Sequence, residues 1–229
     1  MKKELAINIF KAGIPDFKES KFKLHDEFPD APRFLMKCNL RREPEGKLTD
    51  KLIGEISKKF VHSIKERNIK FDIVVGLPRA GEPFAEKFIE IWNKKYPDKK
   101  KIIYLEKGEE SGKRTILEKI RGEFDQGETV LMIDDVISLA HSKVEAARAL
   151  RKNGLIVKHC IVLMDWELGG AEILKNRYQI RIISEYRISE FLRIWKDACL
   201  ISKSMADEII FRKDIIKIYI EKRNKSNSI

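Results

Sequence analysis

The chain has 229 residues, 43% of them hydrophobic and 36% charged, which is enough apolar material for a buried core and unlike a disordered polymer. With 47 Lys and Arg against 36 Asp and Glu the net charge is +11, which favours acidic ligands or partners without choosing between phosphates, nucleic acid and a merely solvated surface. The three cysteines fall in no C-x-x-C or zinc spacing, the N-terminal apolar run is too short and interrupted for a signal peptide, and no stretch approaches bilayer length. A reducing, cytoplasmic setting is therefore the expectation.

In chain order, residues 1–46 read as irregular, with a short helix or strand over 5–10 and a Pro- and Asp-rich passage from Phe28 to Pro32. Residues 47–68 carry Leu52, Ile53, Ile56, Phe60, Val61 and Ile64 at helical spacing, with Thr49 as the cap. A strand over 71–76 feeds the turn Leu77-Pro78-Arg79-Ala80-Gly81, whose backbone N–H groups could meet a pyrophosphate while Arg79 adds charge. A helix over 82–95 and a strand over 101–105 follow. Next comes the polar loop YLEKGEESGKRT (104–115), and then a short strand or returning loop arm over 116–124.

The run TVLMI (129–133) reads as a buried parallel strand that ends in two acids, Asp134 and Asp135. A helix from Ser142 to Gly154 comes next, then a strand over 157–164 in which Cys160 reads as a small buried residue. Gly169-Gly170 introduce a helix to 177, and the last sheet strand covers 179–184. Ser189 is expected to cap a helix that buries Phe191, Leu192, Ile194 and Trp195. In the tail, Ile216, Ile218 and Ile220 alternate with polar residues as in a strand, with a helix from Met205 as the alternative. Strand and helix in alternation predict an α/β fold, a parallel sheet with helices on both faces.

Ligands in such sheets bind beyond the carboxyl ends of the strands, where Asp134 and Asp135 fall. The helix start behind them offers backbone N–H groups and a positive dipole end to a phosphate, while carboxylates accept from sugar hydroxyls or hold Mg²⁺. Together they describe a site for a ribose 5-phosphate. The plain alternative is an ordinary strand, loop and helix with solvated acids.

The segment VLMIDDVISLAHS resembles the phosphoribosyl-pyrophosphate (PRPP) motif of type I phosphoribosyltransferases, an apolar strand, two acids and Val-x-Thr-Thr-Gly-x-Ser or Thr. Three further segments make orotate phosphoribosyltransferases the nearest branch. FDIVVGLPRAGEPFA is similar to their strand, glycine loop and helix, and IVLMDWELGG to their strand ending in Asp-Arg-x-x-Gly-Gly. FKLHDEFPDAPRFLMKCNLR is similar to their hood segment, with His25 where the family has a lysine. The resemblance covers roughly residues 22–194. It implies a hood over 1–46, a phosphoribosyltransferase-like α/β core over 47–200 and a C-terminal extension over 201–229.

The departures are specific. Thr-Thr-Gly becomes Ser138, Leu139, Ala140, followed by His141, so one hydroxyl is lost and a Cβ stands where glycine turns tightly. Trp166 replaces the arginine that holds orotate's carboxylate, and an indole cannot make that charge-assisted pair. With Gly112 aligned to the family glycine, no lysine falls at the catalytic loop position, and Lys107, Lys113 and Arg114 are the cations left there.

The resemblance implies transfer of ribose 5-phosphate from PRPP to a nitrogenous base, a pyrimidine such as orotate, with release of pyrophosphate. Asp134 and Asp135 would hold the ribose hydroxyls or, through water, Mg²⁺. Ser138, Ala140, His141 and Ser142 would cradle the 5-phosphate. Arg79, Gly81 and Lys107 would address the pyrophosphate, and Phe34, Ser138 and Trp166 the base. For Phe34 the plain alternative is a core residue beneath the hood. A homodimer is also implied. The other reading is a catalytically degenerate relative that senses PRPP or a nucleotide or binds nucleic acid, although no DNA-binding segment is recognisable.

Overall fold

The computed structural model describes residues 2–20, 29–110 and 113–226, with side chains described throughout except at 110, 113–114 and 224–226. His25 and Gly112 lie outside the described residues.

The N-terminal region is more regular than its sequence suggests. Helix α1 (Lys2–Lys11) buries Leu5, Ala6 and Ile9. Strands β1 (Pro15–Asp16) and β2 (Lys37–Cys38) then form a small antiparallel ribbon, with Pro15 opposite Cys38. Helix α2 (Asp50–Glu66) begins as expected, with the Thr49 hydroxyl accepting from the Leu52 N–H at 3.3 Å. Its stripe of Leu52, Ile53, Ile56, Phe60, Val61 and Ile64 is buried, and each such side chain contributes about 1.5–3 kcal/mol.

The core alternates as the sequence predicts: β3 (Ile73–Gly76), α3 (Glu82–Lys95), β4 (Lys101–Glu110), β5 (Lys113–Arg121), β6 (Thr129–Ile137), α4 (His141–Lys152), β7 (Ile156–Asp165), α5 (Gly170–Tyr178), β8 (Arg181–Arg187) and α6 (Ile188–Asp197). The six strands lie in the order β5-β4-β3-β6-β7-β8, all parallel except β5. Residues 73–76 are uniformly apolar up to Gly76 because both faces of the sheet are covered. One face packs against α1, α2, α3, α6 and the C-terminal helix, the other against α4 and α5.

From β3 the chain winds one way across the sheet to β4, and from β6 it winds the other way to β7. The crevice between the ends of β3 and β6 is therefore the topological switch point, where ligands bind in open α/β sheets.

Three expectations are corrected. The polar loop after residue 105 is a long hairpin, because β4 continues to Glu110 and pairs antiparallel with β5 past an irregularity between Leu105 and Lys107. The tail is helical, α7 (Lys203–Ser226). Ile209, Ile216 and Ile220 recur at seven and four residues and are buried, whereas Ile218 is 51% exposed, so the alternation was one helix face sampled twice. Finally, Arg187 and not Ser189 occupies the N-cap of α6, and the Ser189 N–H donates to Glu167 Oε2 at 3.0 Å.

Candidate active site

Two turns flank the switch point. In the first, Leu77 N–H donates to the Ile133 carbonyl at 2.9 Å and Gly81 N–H to the Leu77 carbonyl at 2.8 Å. A Cβ on Gly81 would lie 2.2 Å from the Ile133 oxygen, so glycine here lets the turn lie against β6. Its own N–H is used within the turn.

β6 presents the two acids differently. Asp134 is buried, its Oδ1 accepts the Asp135 N–H at 2.9 Å, and its Oδ2 pairs with Lys143 Nζ. Lys143 is itself buried and also donates to the Val136 carbonyl. Burial opposes its charge, but Asp134 and then Asp135 outweigh that and hold its pKa above the ordinary value.

Asp135 keeps part of its surface exposed. Its Oδ1 accepts the Val136 N–H at 2.7 Å, and its charge is felt on the hood side, at Cys38. Burial and, after it, the charge of Asp134 push the Asp135 pKa up to about 7, against the pull of Lys143 and the Val136 N–H. The two acids are thus held differently: Asp134 is buried and paired with Lys143, and Asp135 is the less buried of the two, with no lysine bound to it among the described residues.

The second turn, from Ser138 to Ala140, leads into α4. Ala140 takes the N-cap place with φ 69°, a left-handed conformation that suits the family's glycine better than alanine, and no side chain caps the helix. Ser138, His141 and Ser142 are partly exposed, while Leu139 and Ala140 are buried. The helix therefore opens toward the crevice with its first-turn N–H groups and positive dipole end, and with no acidic residue in that turn.

The turn after β7 packs directly behind this loop. Gly170 N–H donates to the Ser138 carbonyl at 3.0 Å, and a Cβ on Gly170 would sit 2.2 Å from that oxygen. Trp166 N–H donates to the Ile137 carbonyl at 2.9 Å. The Trp166 and Phe34 rings meet edge to face, centroids 5.0 Å apart, and both are buried. Phe34 is thus a core residue, packed on the tryptophan that stands where the resemblance places an arginine.

On the pyrophosphate side, Arg79 is exposed and lies 3.9 Å from a Glu45 carboxylate oxygen. Glu82 marks where the cations gather. Burial and Glu86 raise its pKa, while Arg79, Arg121 and Lys107 pull it down. Arg121, on β5, also lies over the Tyr104 ring at 5.1 Å. Sequence reading did not single it out, because only the hairpin brings it beside Arg79 and Lys107.

Among the described residues no group of three or more His, Cys, Asp or Glu could enclose a metal. A magnesium ion that keeps most of its waters and is held mainly by substrate phosphates needs only one or two carboxylates. Asp135, partly exposed, is compatible with that role, while Asp134 is buried and paired with Lys143.

Comparison with known proteins bears on the whole arrangement. The family model described as "Phosphoribosyl transferase domain" matches residues 46–191. The chain belongs to the phosphoribosyltransferase family. Among its relatives are the orotate phosphoribosyltransferase of Coxiella burnetii, 31% identical over 51% of this chain and 52% of that protein, and the uridine 5'-monophosphate synthase of Bos taurus, 30% identical over 62% of this chain and 28% of that one. The matches span about half or less of such relatives' own length. The orotate phosphoribosyltransferase structure from Aeropyrum pernix has the same fold, with a TM-score of 0.63 at 17% identity over 85% of this chain and 99% of that one. A Mycobacterium tuberculosis orotate phosphoribosyltransferase solved in complex with PRPP also aligns, with a TM-score of 0.55 at 17% identity over 83% of this chain and 90% of that one.

The residue missed from sequence that matters most is Lys143. It lies in the buried stripe 143, 146, 147, 150 of α4, and a lysine in an apolar stripe needs an internal counter-ion.

Proposed function

We propose that the protein transfers ribose 5-phosphate from PRPP to a nitrogenous base and releases pyrophosphate, in the manner of an orotate phosphoribosyltransferase but with a base that does not rely on an arginine at position 166. The observation that carries this is the partly exposed Asp135 at the end of β6, near the uncapped N-terminus of α4 at the switch point. Asp135 would accept from the ribose hydroxyls. Ser138 and Ser142, with the backbone N–H groups at the start of α4, would take the 5-phosphate.

In the reaction a base nitrogen forms its bond to C1 of the ribose as the bond from C1 to the pyrophosphate oxygen breaks, and both electrons of that bond leave with pyrophosphate. Arg79, Lys107 and Arg121 would stabilise the charge that builds up there. Magnesium, held through water by Asp135, would neutralise part of the substrate's phosphate charge. A homodimer, with the β4–β5 hairpin reaching a neighbour's site, belongs to the same reading.

The replacement of arginine by a buried Trp166, packed on Phe34, favours a second reading in which PRPP binds and no base is turned over. Calorimetry with PRPP and Mg²⁺, followed by a pyrophosphate-release assay over a panel of pyrimidines and purines, separates the two. Absence of PRPP binding refutes both readings. Binding without pyrophosphate release from any base refutes the enzyme and leaves the sensor.

A further inference from the structure

A second concave surface lies away from the switch point. It is a groove of about 1190 Å³ beside β8, on the face that carries α2 and α6, and none of the candidate active-site residues lines it. Its walls come from α1, the connection between α2 and β3, and the strands β6, β7 and β8, with the start of α6 closing one end.

The groove is polarised. Arg67 and Lys70 on the connection, Lys158 on β7 and Arg181 on β8 gather at the end where the strands begin. All four are exposed, and none has an ion-pair partner within 4 Å among the described residues. On the other wall Lys2 pairs with Glu190 at 2.7 Å and Arg193 with Asp197 at 3.8 Å, while Arg187 also lines the groove. Four like charges facing one space repel one another until an anion enters. His159 registers the same field. Burial and then the charges of Arg181 and Lys158 hold its pKa below the ordinary value.

Further along the same strand is a different chemistry. Glu185 is 5% exposed and lines the groove, and its Oε2 pairs with Lys59 Nζ at 3.1 Å. Its Oε1 is buried and has no hydrogen-bond partner. Buried carboxylate oxygens are ordinarily satisfied, so this one can take one more donor, which reaches it when the Glu185 side chain turns toward the groove. Arg181 and Glu185 are four residues apart on one strand face, about 13 Å. Among the described residues no Phe, Tyr or Trp lines the groove, and His159 is its one aromatic ring, which is less than the run of stacking platforms used for single-stranded nucleic acid.

We propose that this groove is a second binding site, for a small ligand with two or more phosphoryl groups at one end and a hydroxyl or amino hydrogen about 13 Å away, the dimensions of a nucleoside polyphosphate. The phosphates lie among Arg67, Lys70, Lys158 and Arg181, and the hydrogen is donated to Glu185 Oε1. The proposal is independent of the reaction assigned to the switch point.

The test is calorimetric titration of the full chain with adenosine 5'-triphosphate in EDTA, alongside inorganic tripolyphosphate and a single-stranded RNA 12-mer. Saturable binding of the nucleotide is expected, unchanged in Asp135→Asn and at least tenfold weaker in Lys158→Glu/Arg181→Glu, whose two sites are exposed and leave the core untouched. Glu185→Gln is expected to weaken the nucleotide while sparing tripolyphosphate. The site is refuted by absence of saturable binding, by equal affinity in the double charge reversal, or by loss of binding in Asp135→Asn. Tighter binding of the 12-mer through the same cations refutes the small ligand, and an unchanged nucleotide affinity in Glu185→Gln refutes the role of the buried oxygen.

Discussion

Lys143→Met gives the sharpest test of how the acids are divided. Side-chain exposures are 5% for Lys143 and 8% for Asp134, so the pair is removed from water, and deleting one partner of such a pair costs about 3–5 kcal/mol because the other charge is stranded. For a domain of this length each kcal/mol moves the melting temperature by roughly 2–4 °C. The loss should therefore be at least about 6 °C, from the lower ends of these two ranges. The double variant Asp134→Leu/Lys143→Met removes both charges and should regain most of it. Urea unfolding of the wild type, the two single variants and the double variant gives a coupling energy, expected to exceed about 2 kcal/mol in favour of the pair. If the two single losses simply add in the double variant, the pair is not a unit and the division of roles between Asp134 and Asp135 fails.

Other expectations follow from the same geometry. Asp135→Asn should weaken PRPP binding at least tenfold, read by calorimetry, while the unliganded melting temperature stays level or rises slightly, because the fold already disfavours that charge. The pH dependence has a definite sign. Asp135 holds its proton more tightly folded than unfolded, so its contribution to stability is fully present below pH 4 and is lost as pH rises through about 7. Over that upper range PRPP affinity should rise as the carboxylate ionises, and a flat affinity between pH 5.5 and 8 would contradict the assignment. Ala140→Gly removes a Cβ from a residue at φ 69°. It should stabilise the protein by up to about 1 kcal/mol without weakening PRPP binding, and a clear loss of stability by thermal melting would show that the alanine is there for packing.

The layered core was legible because its signals are local. The stripe of α2 with its Thr49 cap, the apolar runs at β3 and β6, and the glycines at turns 81 and 170 each declare themselves within a few residues of chain. What was illegible depends on partners far apart in sequence. Ser189 resembles a cap, yet Glu167, 22 residues earlier, accepts the N–H at that helix start. Ile216, Ile218 and Ile220 fit a strand period until burial by other helices picks two of the three. At the site, the motif located Asp134 and Asp135 but could not say that a lysine nine residues on would occupy one of them. The cations of the groove come from elements spread over more than a hundred residues, so no window of sequence could have displayed them together.

One chain of contacts ties the turn after β7 to the N-terminal helix. Glu167, next to Trp166, grips the start of α6 at Ser189, and further along α6 the Trp195 Nε1–H is anchored to the Ala6 carbonyl of α1 at 2.8 Å. Displacing Trp166 would thus pull on α6, and through it on the N-terminal helix that leads into the β1–β2 ribbon. The turn after β7 and the N-terminal helix are geared together, and moving one is mechanically an act on both.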